Sequence, residues 1–493
     1  MNYCTPEKAG ISSKHILNFY KKLEMYNLTT HSVIMARGND IFTETYYAPF
    51  TKDFKHRMYS VTKSFVSLAI GFCEQDGLLS LKDKMVKFFP EYKNENWDDK
   101  LTETTVEDML KMQTSRYPGV NWFTSGTQDR AEVYFRKKGE KHPGTFYYYD
   151  SAGSYMLGVI VEKLTGKPFI EYLKEKCLNE IGFSKDAYCL KAPGGHSWGD
   201  SGLMCTTYDL LLACRFVLNK GTFNGKRYLN EEYLNKATDV SQVCNNHLGF
   251  VNHATFGYGY QFWGSPLGCF SMYGMGSQIG LMDPKHDFIF VINSDNQGNA
   301  LHYDQIFDAL YNEVIVNIKD APLEENERDY NELLAYTKNL KLFALRGEIK
   351  SNLIQKINGK TYVCEENPCN FKWFRIDFND NYGTLHYENT QGVKELKFGL
   401  GYNEFSKFPE YGYSDMIGTV SEPNHKYDCA VSGDFPTEHE LRLRVQIIDK
   451  YFGNLGMMFS FKDENTVSLK MLKVAEAFLN EYNGTVNGIL KPY

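Results

Sequence analysis

The feature that most constrains this chain is a change of rhythm near residue 321. Beyond it, short alternating segments recur with turn residues between them: WFRIDF, GTLHYEN, ELKFGLG, YDCAVSG, ELRLRVQII, NLGMMFSF and TVSLKML. Alternation at period two marks half-buried strands, and this cadence predicts an antiparallel β-sandwich or calycin-like barrel. Before it, helical and strand signals interleave with glycine-marked turns, the pattern of a mixed α/β (α+β) domain. Domains are therefore expected over 1–320 and 346–493, with a helical linker at 321–345 that opens on the polar run Pro322-Leu323-Glu324-Glu325. A length of 493 residues accommodates that division.

Within the first domain, Ser32–Met35 and Ile41–Tyr47 read as strands around a turn at Arg37–Asp40. A helix should begin near Ser60, with Val61, Phe65, Leu68 and Phe72 forming one buried stripe and Gly77 the stop. Thr105–Met112 and Ala152–Leu164 read as further helices, the second with Ser151 as N-cap and Gly166 just past its end. FGYGYQFW, FSMYGMGSQIGLM and FIFVINS read as strands, the last two paired across the turn DPKHD. Helices are expected over Tyr303–Val316 and Asn331–Leu342.

Composition excludes several classes of function. Lys and Arg number 54 against 61 Asp and Glu, a net charge of −7 with no basic block, so neither nucleic acid nor an anionic membrane is an expected partner. No apolar run is long enough to span a bilayer. The opening residues lack a positive stretch followed by an apolar one, so no secretory signal is read. The 11 cysteines are scattered and without metal-ligand spacing, which fits reduced thiols in a cytoplasmic protein and no metal site.

The sharpest motif is Ser60-Val61-Thr62-Lys63. Three residues apart on a helix, Ser60 and Lys63 share one face. A serine hydroxyl is a weak nucleophile until a neighbour takes its proton, and lysine can be that base where burial disfavours the ammonium form. At a helix start, backbone N–H groups are also free to meet an oxyanion. Two other blocks accompany the motif: Phe146-Tyr147-Tyr148-Tyr149-Asp150-Ser151-Ala152-Gly153 before a helix, and Gly274-Met275-Gly276-Ser277-Gln278 on a strand beside a hairpin.

The order and spacing of these three blocks resemble the serine β-lactamase and penicillin-binding-protein superfamily, in its class C-like esterase and peptidase branch. The resemblance covers about residues 1–317 and has supporting stretches. Thr5–Ser12 is similar to the family's start. Val106–Ser115 is similar to its LLxMTSG helix end, with Arg116 in place of glycine. Gly199-Asp200-Ser201-Gly202-Leu203, followed by Thr206–Leu210, is similar to its GGAGLxSTxxDL block. The resemblance implies Ser60 as acylated nucleophile, Lys63 as its base and Tyr149 as the residue exchanging protons with the leaving group. Because Tyr147, Tyr148 and Tyr149 are consecutive, Tyr148 remains the alternative. It also implies the N–H groups of Ser60 and Ser277 as oxyanion donors, with Ser151, Tyr273, Gly274 and Gly276 near the substrate, and no cofactor.

Two departures bear on substrate. Ser151 stands where the family usually has asparagine. Gly274 occupies the place of a lysine or histidine that receives a carboxylate. A Gly-x-Gly-x-Gln block resembles the branch of esterases and aminohexanoate-oligomer amidases. Small esters, amides or short peptides are thus the expected substrates, with D-amino-acid peptidase or β-lactamase activity as the alternative. A non-turnover acyl-binding sensor, or a scaffold working through the tail, is the alternative of another class. Such tails can cover a cleft, bind ligand or help form a homodimer. His196 and Trp198 read as loop residues, Asp200 and Asp209 as turn and helix caps, and Cys205 and Cys269 as small buried hydrophobes.

Overall fold

A computed structural model describes residues 1–117, 119–120, 128–246, 249, 252, 254–411, 425–476 and 478–492. The chain divides into two compact units, Met1–Lys341 and Leu342–Tyr493.

The first unit is built on a seven-stranded sheet of β1 (Asn2–Tyr3), β2 (Thr30–Arg37), β3 (Asp40–Tyr46), β4 (Trp263–Gly264), β5 (Phe270–Gly274), β6 (Gln278–Asp283) and β7 (Phe288–Ser294). The spatial order is β1-β3-β2-β7-β6-β5-β4. Every pairing is antiparallel except β1 with β3. Strands β5, β6 and β7 are buried along their whole length because helices cover both faces. On one face α1 (Ser13–Met25) sends Ile16, Phe19 and Leu23 into a core with Leu281, Phe290 and Ile292. On the other, α4 (Thr207–Leu218) lies so near β6 that a Cβ on Gly280 would sit 2.5 Å from Cys214 Sγ.

Helix α2 (Val61–Gln75) runs through the middle of the unit. Every residue from Val61 to Cys73 is buried, so the expected single stripe widens to the whole circumference. The cause is its position, with α3 (Ser151–Thr165), the short helix Phe169–Leu173 and β5 all packed against it. Ser151 is the first helical residue of α3 and not its N-cap; Asp150 precedes it, and Gly166 ends the helix at φ 69°.

Three more expectations change. The segment FGYGYQFW forms only the short β4, because its glycines lay it against a neighbouring backbone: a Cβ on Gly257 would meet Val240 O at 2.0 Å, and one on Gly259 would meet Ala237 O at 2.2 Å. Residues 321–345 hold α6 (Glu327–Thr337), whose Leu333 is buried in the α1 core and whose neighbour Tyr336 donates to Glu24 Oε2 at 3.0 Å. The expected Tyr303–Val316 helix starts as α5 (His302–Ala309) and continues in wider and tighter turns.

The second unit is a barrel. Its strands are β8 (Thr361–Cys364), β9 (Trp373–Asn379), β10 (Tyr382–Asn389), β11 (Gly392–Leu400), β12 (Asp428–Thr437), β13 (Glu440–Ile448), β14 (Phe452–Phe461), β15 (Thr466–Val474) and β16 (Gly484–Leu490). They run β11-β10-β9-β8-β16-β15-β14-β13-β12, and β12 closes onto β11 by a short parallel pairing of Gly399 with Ser432 and Leu400 with Gly433. Closure of these nine strands settles the sandwich-or-barrel choice, and a short tenth strand, Glu404–Lys407, pairs antiparallel with β12. Along β15 every second residue is buried, Val467, Leu469 and Met471 facing in.

Candidate active site

Ser60 occupies the N-cap of α2, half-buried, directly after Tyr59, whose φ of 45° puts a bulky residue in the left-handed region. Such a backbone costs about 1–3 kcal/mol and persists only where the surroundings hold it. Here they do. Arg57 lays its guanidinium 4.2 Å from the centre of the Tyr59 ring and donates to Ser201 O at 3.0 Å and Ser201 Oγ at 2.8 Å. The Met58 N–H donates to Leu203 O at 2.8 Å.

Lys63, one turn along the helix, is 2% exposed. Its Nζ donates to Ser60 Oγ at 2.9 Å and to the backbone carbonyl of Asp200 at 2.7 Å. Both acceptors are neutral, and no carboxylate among the described residues lies within ion-pair distance of this amine. Nζ also lies 5.1 Å from the ring centre of Tyr149.

That contact separates the consecutive tyrosines. Tyr147 is buried against Tyr258, and Tyr148 sets its ring edge-on to Tyr117 at 4.8 Å. Tyr149 has Lys63 over its ring and also packs on Trp263 at 5.2 Å. The Tyr-Tyr-Tyr-Asp segment is fastened from behind, since Tyr148 N–H donates to Met112 O at 2.9 Å and Thr114 Oγ1 donates to Asp150 Oδ2 at 2.7 Å. Burial pushes the Asp150 carboxyl up, against the pull of Thr114.

The third block is not one continuous strand as expected: Gly274 ends β5, Gln278 begins β6, and the three residues between them make the turn. Gly274 pairs with Gln278 across it, and Gly276 (φ 77°) and Ser277 (φ 75°) supply two successive left-handed residues. The turn abuts the segment that carries Ser60, because a Cβ on Gly274 would stand 2.3 Å from Met58 O. It is held from α5 and β7. Ser277 Oγ hydrogen-bonds His302 Nδ1 at 2.5 Å, Tyr303 donates to Gly274 O at 2.8 Å, and Gln278 donates to Ser294 O at 2.6 Å.

Of the remaining candidates, Ser151 is half-buried at the head of α3, next to Asp150. Tyr273 sits in the α1 core, its hydroxyl 2.5 Å from Ser265 Oγ and its ring against Trp263 and Phe307; this is packing, not an open cleft wall. Burial pushes the Tyr273 phenol up. Asp209 makes a capping box with Thr206, and burial pushes the Cys205 thiol well above its ordinary value and Cys269 up to about 12. Trp198 is buried between Arg57 and Arg130, 4.3 and 4.5 Å from the two guanidinium centres, and His196 Nδ1 meets Glu162 Oε2 at 2.7 Å.

Sequence reasoning missed Gln261, His302 and Tyr303. Gln261 bridges the first two blocks: its carbonyl accepts from Ser64 Oγ at 2.6 Å and its Oε1 from Ser154 Oγ at 2.7 Å. The only signal was a lone polar residue inside FGYGYQFW. Among the described residues no group of three His, Cys, Asp or Glu side chains is arranged to hold a metal ion, and no helix is long and apolar enough to cross a membrane.

Comparison with known proteins gives the same fold. The 6-aminohexanoate-dimer hydrolase of Paenarthrobacter ureafaciens is 25% identical over 283 residues, 53% of this chain and 71% of that protein. The crystal structure of a penicillin-binding protein homolog from Caulobacter crescentus superposes with a TM-score of 0.51 at 16% identity, covering 64% of this chain and 99% of that one. The structure of a putative 6-aminohexanoate-dimer hydrolase from Bacillus anthracis gives a TM-score of 0.49 at 20% identity, covering 59% of this chain and 81% of that one. The profile of the family described as Beta-lactamase matches residues 18–312, more than half of the chain. The chain therefore belongs to the Beta-lactamase family, and it is a serine hydrolase of that family.

Proposed function

We propose that this hydrolase works through an acyl-enzyme on small carboxylic esters or amides that need no terminal carboxylate. The observation that carries the reading is the buried Lys63 amine, 2.9 Å from Ser60 Oγ and poised over the Tyr149 ring. In the proposed sequence, the carbonyl oxygen of the substrate meets the N–H groups of Ser60 and Ser277. Ser60 Oγ attacks the carbonyl carbon and yields its proton to Lys63 and Tyr149. Tyr149 then protonates the departing alcohol or amine as its bond to carbon breaks, and water releases the acid by the reverse relay.

The substrate preference rests on Gly274. With Met58 O only 2.3 Å from where a Cβ would be, this backbone has no room for a cationic side chain to receive a carboxylate. The similarity to an aminohexanoate-dimer hydrolase supports an amide within the substrate range. The proposed partner is thus a small-molecule ester, amide or short peptide.

The test is hydrolysis of a p-nitrophenyl ester, with fluorophosphonate labelling, by wild type, Ser60→Ala and Tyr149→Phe. Ser60→Ala should lose labelling and turnover by roughly a thousandfold or more. Tyr149→Phe should lower kcat more than it raises KM. Turnover that survives Ser60→Ala sinks the reading, and labelling without turnover in wild type points to an acyl-binding sensor.

A further inference from the structure

Asp200 stands where the resembled GGAGL block has its second glycine, and the fold carries its side chain into the interior beside the site. The residue is 4% exposed, and its Oδ1 has no hydrogen-bond partner among the described residues. A carboxylate oxygen taken out of water without a hydrogen bond is costly, so its surroundings have to answer for it.

Three cations bear on it. Lys63 of α2, Arg130 of the helix Arg130–Phe135 and Arg57 of the strand His56–Arg57 all act on the Asp200 charge, against burial, which pushes its carboxyl up. Tyr155 of α3 and Cys189 of the strand Tyr188–Cys189 also feel it, and both feel Glu162 as well; Asp129 adds negative charge at Tyr155. The arginines are engaged elsewhere, both on the Trp198 ring and Arg57 on Ser201 as well. Lys63 lies over the Tyr149 ring and gives its hydrogen bonds to a hydroxyl and to the Asp200 carbonyl, so Asp200 itself holds the amine.

We propose that Asp200 is a positioning residue for Lys63, its backbone carbonyl aiming the amine at Ser60 and its carboxylate offsetting the ammonium formed when Lys63 takes the Ser60 proton. The inference rests on the roles proposed for Ser60 and Lys63. The proton moves from Ser60 Oγ to Lys63 Nζ, and Asp200 neither gains nor loses one in the step. A side chain absent from the resembled block thereby sets the strength of the base at this site.

The test is the pH dependence of ester hydrolysis in wild type, the isosteric Asp200→Asn, and Asp200→Gly, the residue of the resembled block. Removing an anion beside an ammonium weakens its hold on the proton, so the acid limb of kcat/KM should move to lower pH by about one unit in both variants. The plateau kcat should fall roughly tenfold, with KM within about twofold of wild type. An acid limb that stays in place in both folded variants, or a change confined to KM, overturns the proposal. Failure of the parent reading looks different: turnover then survives Ser60→Ala, whatever the Asp200 variants do.

Discussion

Two buried lysines, one in each unit, are held in opposite ways. Lys63 offers its amine to two neutral acceptors, the Ser60 hydroxyl and a backbone carbonyl. Lys394, on β11 of the barrel, lies 3.2 Å from Glu410 Oε2 and donates to Pro409 O at 2.8 Å and Gln391 Oε1 at 3.1 Å. Glu410 is fully buried and accepts further hydrogen bonds from Asn389 at 2.6 Å and from the Tyr482 hydroxyl. In the barrel, charge is neutralised by contact, leaving nothing to react. At the candidate site the hydroxyl that would react is itself one of the amine's acceptors. Burial of a lysine therefore says little by itself; the chemistry of its acceptors separates a structural cation from a base.

The largest test of this contrast replaces each lysine with methionine. Lys63→Met should lower ester turnover by about 10²–10⁴-fold while barely moving the unfolding midpoint. Lys394→Met should destabilise the protein by about 3–5 kcal/mol, because Glu410 is left charged and buried. The double variant Lys394→Met/Glu410→Gln should recover much of that loss in denaturant unfolding. If Lys63→Met destabilises as much as Lys394→Met and keeps its turnover, the two lysines are of one kind and the contrast fails.

A smaller effect separates two glycines. Gly274→Ala puts a Cβ against Met58 O and should cost about 1–3 kcal/mol together with most of the turnover, since the Ser277 turn must shift. Gly456→Ala, on the outer face of β14 with its nearest neighbour at 3.9 Å, should leave the thermal midpoint within error of wild type. Equal costs at both positions would mean that the close approach near Ser60 is dispensable.

A further test is a pH effect in the first unit. His31 and His56 are fully buried and stacked 5.3 Å apart, and burial lowers both, His56 to about 3. Above about pH 6.5 both are neutral folded or unfolded, so they add no slope. Below that value the unfolded chain binds protons that the folded one refuses, and stability falls as pH drops toward 3. Each histidine should contribute roughly 1.4 kcal/mol per pH unit in that window, measurable as a falling urea midpoint between pH 7 and 5. His31→Phe should flatten the slope; an equal slope in that variant assigns the acid sensitivity to other groups.

Much of this was legible in local pattern. The Ser60–Lys63 spacing, the α2 and α3 helices, the β2–β3 hairpin and seven of the nine barrel strands follow from period and turn chemistry, which act over a few residues. The other two, β8 and β16, went unread; they pair with each other as Val363 with Ile489, across more than a hundred residues of chain.

What the sequence by itself determined is the set of candidate groups and the elements that carry them: Ser60 and Lys63 one helical turn apart, tyrosines ahead of α3, and a glycine-rich block at the end of β5. Only the tertiary structure decided which groups meet. It set Lys63 over the Tyr149 ring and turned Tyr148 toward Tyr117. It made GMGSQ a left-handed turn pressed against Met58, and closed the barrel through the Gly399–Ser432 pairing. It also brought Asp200, which as sequence looked like a turn residue, to the amine 137 positions earlier. The physical reason is one of range: dihedral preference and hydrophobic period are set by near neighbours, whereas burial of charge and the approach of two backbones depend on how the whole core packs.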